Sequence, residues 1–223
     1  MSIMFRLMTA NLLNGGADAG HLAEMIDRHR PEVVVTQELG PNAAEVLAAR
    51  YSHHDLRPSL DHRGLGIASR FPSEFHTLDL PWRVGAWARV DLGSQVVVVA
   101  TLHLINAVDF PWWSSVRKRS DQLSELFAWA GATAGAGPLI VAGDMNASPR
   151  WPAYRRLAEH WEDLAEQAPG GPGTAPTWGW RPGWPRLLRI DHVFGSGVRG
   201  VWATVEPVRG SDHAAVLVDI ELI

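Results

Sequence analysis

The first half of the chain switches repeatedly between the two-residue period of strands and the period of three to four residues that marks helices. Residues 20–29, for example, place Leu22, Met25 and Ile26 on one helical face, and Pro31 then ends the helix because proline cannot continue it. The predicted elements of this half are strand 3–10, helix 20–29, strand 33–36, a helix from Pro41 to about residue 50, and strands 64–70 and 86–92.

The second half is richer in predicted strands. Its strongest strand pattern is QVVVVATL, at residues 95–102. The elements predicted after it are a loop at 106–115, a helix at about 117–130, a strand at 138–142, a long Pro/Gly-rich loop at 168–186, and strands at 189–194, 200–206 and 214–222. Because helices alternate with strands only at the start, we predict a mixed sheet or two packed sheets with outer helices. We find no repeat or linker and expect one domain over residues 1–223.

Composition narrows the class of protein. A chain of 223 residues with 46% apolar residues can bury a sizeable core. The absence of cysteine excludes disulfides, thiol catalysis and zinc–thiolate sites. It also fits a reducing compartment, and we expect a cytoplasmic protein. We further expect the protein to be a monomer. No apolar run is long enough for a membrane span. A net charge of −4 gives no support for tight, salt-sensitive binding to nucleic acid.

Polar residues that can bind metals or transfer protons stand next to predicted strands, mostly directly after one, although Asp191 and His192 interrupt strand 189–194 and Asp212 and His213 precede the last strand. These residues are Asn11, Gln37, Glu38, His103, Asp144, Asn146, Asp191, His192, Asp212 and His213. Since strand ends gather at one edge of a layered α/β protein, we expect a metal and acid–base site there. Each residue alone also has a structural interpretation, such as capping of a helix or turn by Asn11 or Glu38.

Seven ordered segments resemble the motifs of the endonuclease/exonuclease/phosphatase superfamily, which includes deoxyribonuclease I, exonuclease III-like repair enzymes and neutral sphingomyelinases. They are TANLLNGG, VVVTQEL, LGIASRFP, ATLHL, VAGDMNASP, RIDHVF and GSDHAAVLVDI. They span residues 9 to 220, so the resemblance covers nearly the whole chain. It implies a four-layer α/β sandwich, with two mixed β-sheets packed face to face and helices outside.

The resemblance also implies a metal site. Glu38 would be the principal ligand of Mg²⁺ or Mn²⁺, Asn11 would be a second metal-site residue, and Asp212 would lie beside the metal. A hard dication bound by carboxylate and amide oxygens neutralises charge on a phosphoester as the transition state forms. Mg²⁺ keeps several waters when bound, so few protein ligands are needed.

The remaining matching residues are expected to perform the chemistry. His213, oriented by Asp191, would lie near the scissile phosphate. Asp144 and Asn146 would position the attacking water and the phosphate, and His103 would contact a phosphate oxygen or assist the leaving group. An imidazole suits proton transfer at neutral pH, and a carboxylate on its other nitrogen fixes its orientation.

Two departures weaken an assignment as an abasic-site endonuclease. The chain lacks long basic insertions, and neither Tyr51 nor Tyr154 is a convincing match for the tyrosine that some members place near the phosphate. Arg119 and Gln122 lie one turn apart on the predicted helix 117–130, and we interpret both as structural or surface residues rather than catalytic ones.

The long loop offers candidate substrate contacts. Trp178, Trp180, Arg181 and Arg189 could stack on a base or aromatic group and hold phosphates. Alternatively, the tryptophans form a hydrophobic plug that orders a Pro/Gly-rich loop. A lipid-directed role would require an exposed apolar docking segment, for which residues 108–113 are only a weak candidate.

These patterns predict a metal-dependent phosphodiesterase or nuclease acting on nucleic acid or another phosphodiester. The alternative is a phosphatase for a small phosphorylated metabolite, nucleotide or lipid headgroup, which the short length and acidic balance favour. A catalytically silent binding module is a third hypothesis, but such a module would be free to lose Glu38, Asp144 or His213, and all are present.

Overall fold

A computed structural model describes residues 3–106, 112–135 and 137–223. The first half contains β1 (Met4–Asn11), α1 (Ala19–His29), β2 (Val33–Gln37), α2 (Pro41–Ala48), β3 (His53–Arg57), β4 (Leu65–Ser69), β5 (Ser73–Leu80) and β6 (Arg83–Asp91). The second half contains β7 (Val96–His103), α3 (Trp112–Thr133), β8 (Leu139–Asp144), α4 (Pro152–Ala158), β9 (Glu162–Asp163), α5 (Leu164–Gln167), β10 (Trp178–Gly179), β11 (Arg186–Leu188), β12 (Asp191–Ser196), β13 (Val198–Pro207) and β14 (Ala214–Leu222).

The longer strands form two mixed sheets of six strands each. One has the order β13-β14-β1-β2-β4-β3, and the other has the order β5-β6-β7-β8-β12-β9. The pairs β1–β2 and β7–β8 are parallel, and the other pairs within these two sheets are antiparallel. Strands β10 and β11 form a separate hairpin.

Alternation along the central strands produces the layers. In β1, Phe5 and Leu7 point into the core between the sheets, whereas Met8 and Ala10 point toward the helical layer. Helices α1 and α2 cover that outer face through buried side chains such as Leu22. Helices α3 and α4 cover the other sheet in the same way. The predicted four-layer α/β sandwich is confirmed.

The structure corrects several predicted boundaries. Helix α3 begins at Trp112, whereas we predicted a loop through 115; residues 107–111 of that loop, which include most of the docking candidate 108–113, lie outside the described residues. Strands β3 and β5 were not predicted. Each lies at the edge of a sheet, where solvent on one side permits polar side chains and weakens the hydrophobic pattern. Among the described helices, none is long and apolar enough to cross a membrane.

Candidate active site

The polar ends of the central strands meet at one edge of the sandwich. Asn11 and Gln37 are paired across the ends of β1 and β2, and His103 and Asp144 are paired across the ends of β7 and β8. Buried apolar runs hold these strands in place, so the polar residue that follows each run is delivered to the same edge.

A pocket of about 580 Å³ opens at this edge. The predicted residues that line it are Glu38, His103, Asp144, Asn146, Trp178, Trp180, Asp212 and His213. Asn11 and Asp191 are buried and hydrogen-bond to lining residues. The pocket is also lined by residues that we did not predict, chiefly His62, Arg83 and Asn106.

Glu38 is fixed at the pocket by Asn11 and by backbone. Its two carboxylate oxygens accept hydrogen bonds from Asn11 Nδ2 at 3.2 Å and from the Asn14 N–H at 2.7 Å. Asn11 Nδ2 also donates to Asp144 Oδ2 at 3.1 Å, so one amide joins two carboxylates. Asn11 Oδ1 accepts from the Leu13 N–H at 3.0 Å, which fixes the orientation of the amide. Asn11 therefore presents its nitrogen, not its oxygen, to Glu38.

His213 and Asp191 form a buried pair. His213 Nδ1 lies 2.8 Å from Asp191 Oδ2. Burial alone would lower the pKa of His213, but the negative charge and hydrogen bond of Asp191, with further charge from Asp144 and Asp212, raise it to about 10. The ring is therefore cationic at neutral pH, and its Nε2 lies 3.8 Å from Asp144 Oδ2.

Asp144 and His103 are two further residues of the pocket lining whose pKa values are shifted. Burial raises the pKa of Asp144 to about 7, against the opposing effect of His213. Burial, together with the positive charges of Arg83, His213 and His62, holds the pKa of His103 well below its usual value. His103 Nε2 lies 3.4 Å from Asp144 Oδ2, so a neutral imidazole faces a carboxyl group that titrates near neutral pH.

Side chains of helix α3 fix the loops that follow β7 and β8. Asn146 has a left-handed backbone (φ 45°), and its side chain donates to the Leu104 carbonyl at 2.9 Å. Arg119 donates to the Asn146 carbonyl at 3.1 Å, and Gln122 accepts from the Ile105 N–H at 3.0 Å. Both side chains are buried and bond to loop backbone, in agreement with their structural interpretation.

Asp212 lies beside His213 in the short loop before β14, as the sequence predicts. Its Oδ2 accepts a hydrogen bond from Trp178 Nε1 at 3.1 Å, whereas its buried Oδ1 has no hydrogen-bond partner among the described residues. An acidic oxygen that accepts no hydrogen bond at the pocket can receive a cation.

The donors at this site fit a hard divalent cation. Ligand atoms of Asp144, Asp191 and His213 all lie within 4.8 Å of one another. Asp191 and His213 are already bonded to each other, so the carboxylates of Glu38, Asp144 and Asp212, which line the pocket, are the more available oxygens. Carboxylate oxygens are the preferred protein ligands of Mg²⁺ and Mn²⁺.

The four predicted substrate contacts differ in placement. Trp178 and Trp180 line the pocket, with ring centroids 6.0 Å apart. Arg181 is exposed and lies over the ring of Trp184 at 5.8 Å, outside the pocket lining.

The expected substrate contact of Arg189 is wrong. Its guanidinium is buried and lies 2.9 Å from Asp163 Oδ2, and it also donates to the Tyr154 hydroxyl at 3.3 Å. A guanidinium engaged by a buried carboxylate cannot also reach the pocket. Tyr154, whose hydroxyl lies 3.0 Å from the same carboxylate, belongs to this structural network as well.

The sequence model of the Endonuclease/Exonuclease/phosphatase family matches residues 8–213. The chain belongs to the endonuclease/exonuclease/phosphatase family. The resemblance inferred from the ordered motifs is confirmed, and the family assignment gives the coarse activity class, a phosphoester hydrolase. A comparison with curated proteins found no match.

Solved structures of other proteins share the fold. A family protein from Beutenbergia cavernae is 25% identical, with a TM-score of 0.79 over 98% of this chain and 72% of that one. A family protein from Bacteroides thetaiotaomicron is 16% identical, with a TM-score of 0.78 over 100% and 99%. D. rerio TDP2, solved with a single-strand DNA product, is 17% identical, with a TM-score of 0.79 over 97% and 98%. At their low identities, the last two show the fold alone.

Proposed function

We propose that this family member is a divalent-metal-dependent phosphodiesterase that cleaves its substrate by attack of water on phosphorus. The observation that carries the proposal is the His213–Asp191 pair, 2.8 Å apart, at a pocket that also presents Glu38 and Asp144. The fold shared with D. rerio TDP2, whose structure contains a DNA product, supports a phosphodiester as the substrate.

Glu38 is the proposed principal ligand of Mg²⁺ or Mn²⁺, with Asp212 and Asp144 beside it. The bound ion would neutralise charge on the phosphate and lower the barrier to attack. Asn11 would act by holding Glu38 and Asp144 together, since its amide nitrogen bonds both carboxylates.

The protein's own groups account for proton transfer and charge. A water oxygen bonds to phosphorus as the ester P–O bond breaks, and the departing alkoxide takes a proton from solvent. Asp144, with a pKa of about 7, would accept the proton of the attacking water. His213, cationic and held by Asp191, would donate from Nε2 to a phosphate oxygen. Asn146 and neutral His103 would position the water and the phosphate.

A phosphatase acting on a small phosphorylated molecule is the second candidate. A pocket of about 580 Å³ is of the size that holds a single small ligand, and the chain carries a net charge of −4. The reaction would use the same residues, but the substrate would be a monoester.

The test compares hydrolysis of bis-p-nitrophenyl phosphate, a diester, with that of p-nitrophenyl phosphate, a monoester. Each is measured with EDTA, with Mg²⁺ and with Mn²⁺, in the wild type and in His213→Ala. His54→Ala is the matched control, because His54 is an exposed histidine on edge strand β3. Diester cleavage that requires metal and His213 supports the proposal. Preferential monoester cleavage would favour the second candidate, a phosphatase. Activity that survives EDTA or His213→Ala would refute the mechanism.

A further inference from the structure

Trp178 lies against the loop that carries Asp212 and His213. Trp178 and His213 form an antiparallel β-bridge. Beside this bridge, the Gly179 N–H donates a hydrogen bond to the Asp212 carbonyl at 3.0 Å. The backbone of Trp178 is therefore fixed next to two of the residues that line the pocket.

The preceding residue, Thr177, ties the same segment to a second part of the site. Its carbonyl accepts the Ala214 N–H at 2.7 Å. Its buried hydroxyl accepts the N–H groups of Ile190 and Asp191 at 3.0 and 3.1 Å. Because the backbone of a residue restricts the rotamers of its side chain, these bonds also limit the directions open to the Trp178 ring.

The indole N–H of Trp178 bonds one oxygen of Asp212. Nε1 of the indole donates to Oδ2 of the carboxylate at 3.1 Å. The other oxygen, Oδ1, is buried, accepts no hydrogen bond from the residues that the structure describes, and lies 4.0 Å from His213 Nε2. An indole nitrogen can only donate, so it cannot itself bind a cation. Of the two oxygens of Asp212, Oδ1 is therefore the one available as a ligand.

Without the indole N–H, the carboxylate of Asp212 would be free to turn. The torsion that rotates a carboxylate has a broad, roughly twofold preference and selects neither oxygen. Asp212 lies in the short loop before β14, and its side chain is 15% exposed, so water can reach the carboxylate. A hydrogen bond to one oxygen removes this freedom, which is how outer hydrogen-bond partners orient the ligands of a metal ion.

The other tryptophan at the pocket has different surroundings. Trp180 lines the pocket with 68% of its surface exposed, and the centroid of its ring lies 6.0 Å from that of Trp178. Trp178 is only partly exposed, and its N–H is already bonded. Trp180 is thus the better placed of the two to contact a substrate, whereas the polar group of Trp178 is used within the protein.

We propose that Trp178 is a positioning residue for the divalent cation, because its indole N–H holds Oδ2 of Asp212 and leaves Oδ1 to bind the ion. This inference rests on the proposed function, which places Asp212 beside the metal. It gives Trp178 a task other than stacking on a base or aromatic group, the role considered from the sequence. The task depends on the N–H and not on the aromatic ring, so the two roles can be separated by experiment.

The test measures the Kd for Mn²⁺ from the electron paramagnetic resonance signal of the free ion, in the absence of substrate. Trp178→Phe removes the N–H and keeps an aromatic ring, and we expect it to bind Mn²⁺ about tenfold more weakly than the wild type. Trp184→Phe, between β10 and β11 but outside the pocket lining, is the matched control and should bind as the wild type does. At saturating Mn²⁺, the KM for the soluble diester should be unchanged in Trp178→Phe.

A double-mutant comparison separates positioning from a general effect on the fold. In an Asp212→Asn background, Trp178→Phe should cause no further loss of Mn²⁺ affinity, because the indole acts only through that carboxylate. If Trp178→Phe does not fold, 3-benzothienylalanine at position 178 replaces it in the test, because a sulfur atom in place of the N–H removes the donor with little change in shape.

Two outcomes would overturn the inference. One is an unchanged Kd for Mn²⁺ in Trp178→Phe, which together with a raised KM would assign Trp178 to substrate contact. The other is a loss of Mn²⁺ affinity that is equally large in the Asp212→Asn background. Metal-dependent hydrolysis of the diester with an unchanged Kd defeats only the positioning role, whereas a weakened Kd without any hydrolysis defeats only the proposed function. Failure of the wild type to bind Mn²⁺ would defeat both.

Discussion

Two histidine–aspartate pairs share strand β12 but face opposite sides of it. Asp191 pairs with His213 at the pocket, whereas the next residue, His192, pairs with Asp163 at 3.2 Å on the other side. Adjacent residues in a strand point to opposite faces, so one dipeptide contributes to two separate sites.

The second nitrogen of each imidazole distinguishes the two pairs. His192 Nε2 lies 2.8 Å from the Ala147 carbonyl, so both of its ring nitrogens face protein oxygens. His213 Nε2 faces the pocket, near Asp144 and Asp212. The comparison teaches that a histidine–aspartate pair is chemically competent only when the other nitrogen remains available to a substrate.

The largest expected effect is on turnover. His213→Ala should reduce kcat of diester hydrolysis by about 10³-fold, because it removes the cation that faces the phosphate. Steady-state kinetics measures the loss. His192→Ala, compared per folded molecule, should stay within a few-fold of the wild type. Equal losses in the two variants would contradict the distinction between the pairs.

The next effect is a loss of stability in His192→Ala, the variant that should keep its activity. His192→Ala should reduce the free energy of unfolding by about 3 kcal/mol, because it removes the buried imidazole that contacts both Asp163 and the Ala147 carbonyl and opens a cavity. Urea unfolding followed by circular dichroism measures the change. Arg189 still neutralises Asp163 in this variant, so the double change His192→Ala with Arg189→Ala should be less stable again. An unchanged midpoint in His192→Ala would refute the structural role.

The sequence predicts which polar residues meet at one edge of the sandwich, because the central strands have a simple pattern. Strands buried on both faces are continuous apolar runs, so the polar residue that ends each run stands out, as Asn11, His103 and Asp144 do. The motifs then give the order of these residues, and the family match confirms the fold that brings the strands together.

Side-chain direction and contributions from edge strands are harder to predict. Arg189 stands within three residues of Asp191, but only the structure shows its guanidinium bonded to Asp163, 26 positions earlier in the chain. His62 and Arg83 line the pocket from a loop and from the start of a strand, and no spacing in the sequence connects them to the motifs. The sequence does not give the register between strands that are distant in the chain, and this register determines which side chains meet.

Metal binding should distinguish the two pairs again. Glu38→Gln is expected to lower turnover by about 10²-fold, because an amide is a poorer ligand than a carboxylate for a hard cation. Mg²⁺ should raise the melting temperature of the wild type by binding the folded state, and the rise should be lost in Glu38→Gln but kept in His192→Ala. Glu24→Gln, at an exposed site on α1, is the control. A Mg²⁺-induced rise that persists in Glu38→Gln would show that the metal binds elsewhere.

The smallest effects concern pH and should have opposite signs. Burial opposes ionisation of Asp163, but hydrogen bonding and charge from His192 and Arg189 lower its pKa to about 2. Its contribution to stability, about 2 kcal/mol, is therefore complete above about pH 4 and is lost as pH falls toward 2.

The pKa of His213 is raised to about 10, so the contribution of His213 to stability is complete below about pH 6.5 and is lost as pH rises through 10. Unfolding free energies of wild type, Asp163→Asn and His213→Ala across the pH range test both signs. The difference from wild type should shrink in acid for Asp163→Asn and in base for His213→Ala, and a difference that is independent of pH in either variant would refute the corresponding assignment.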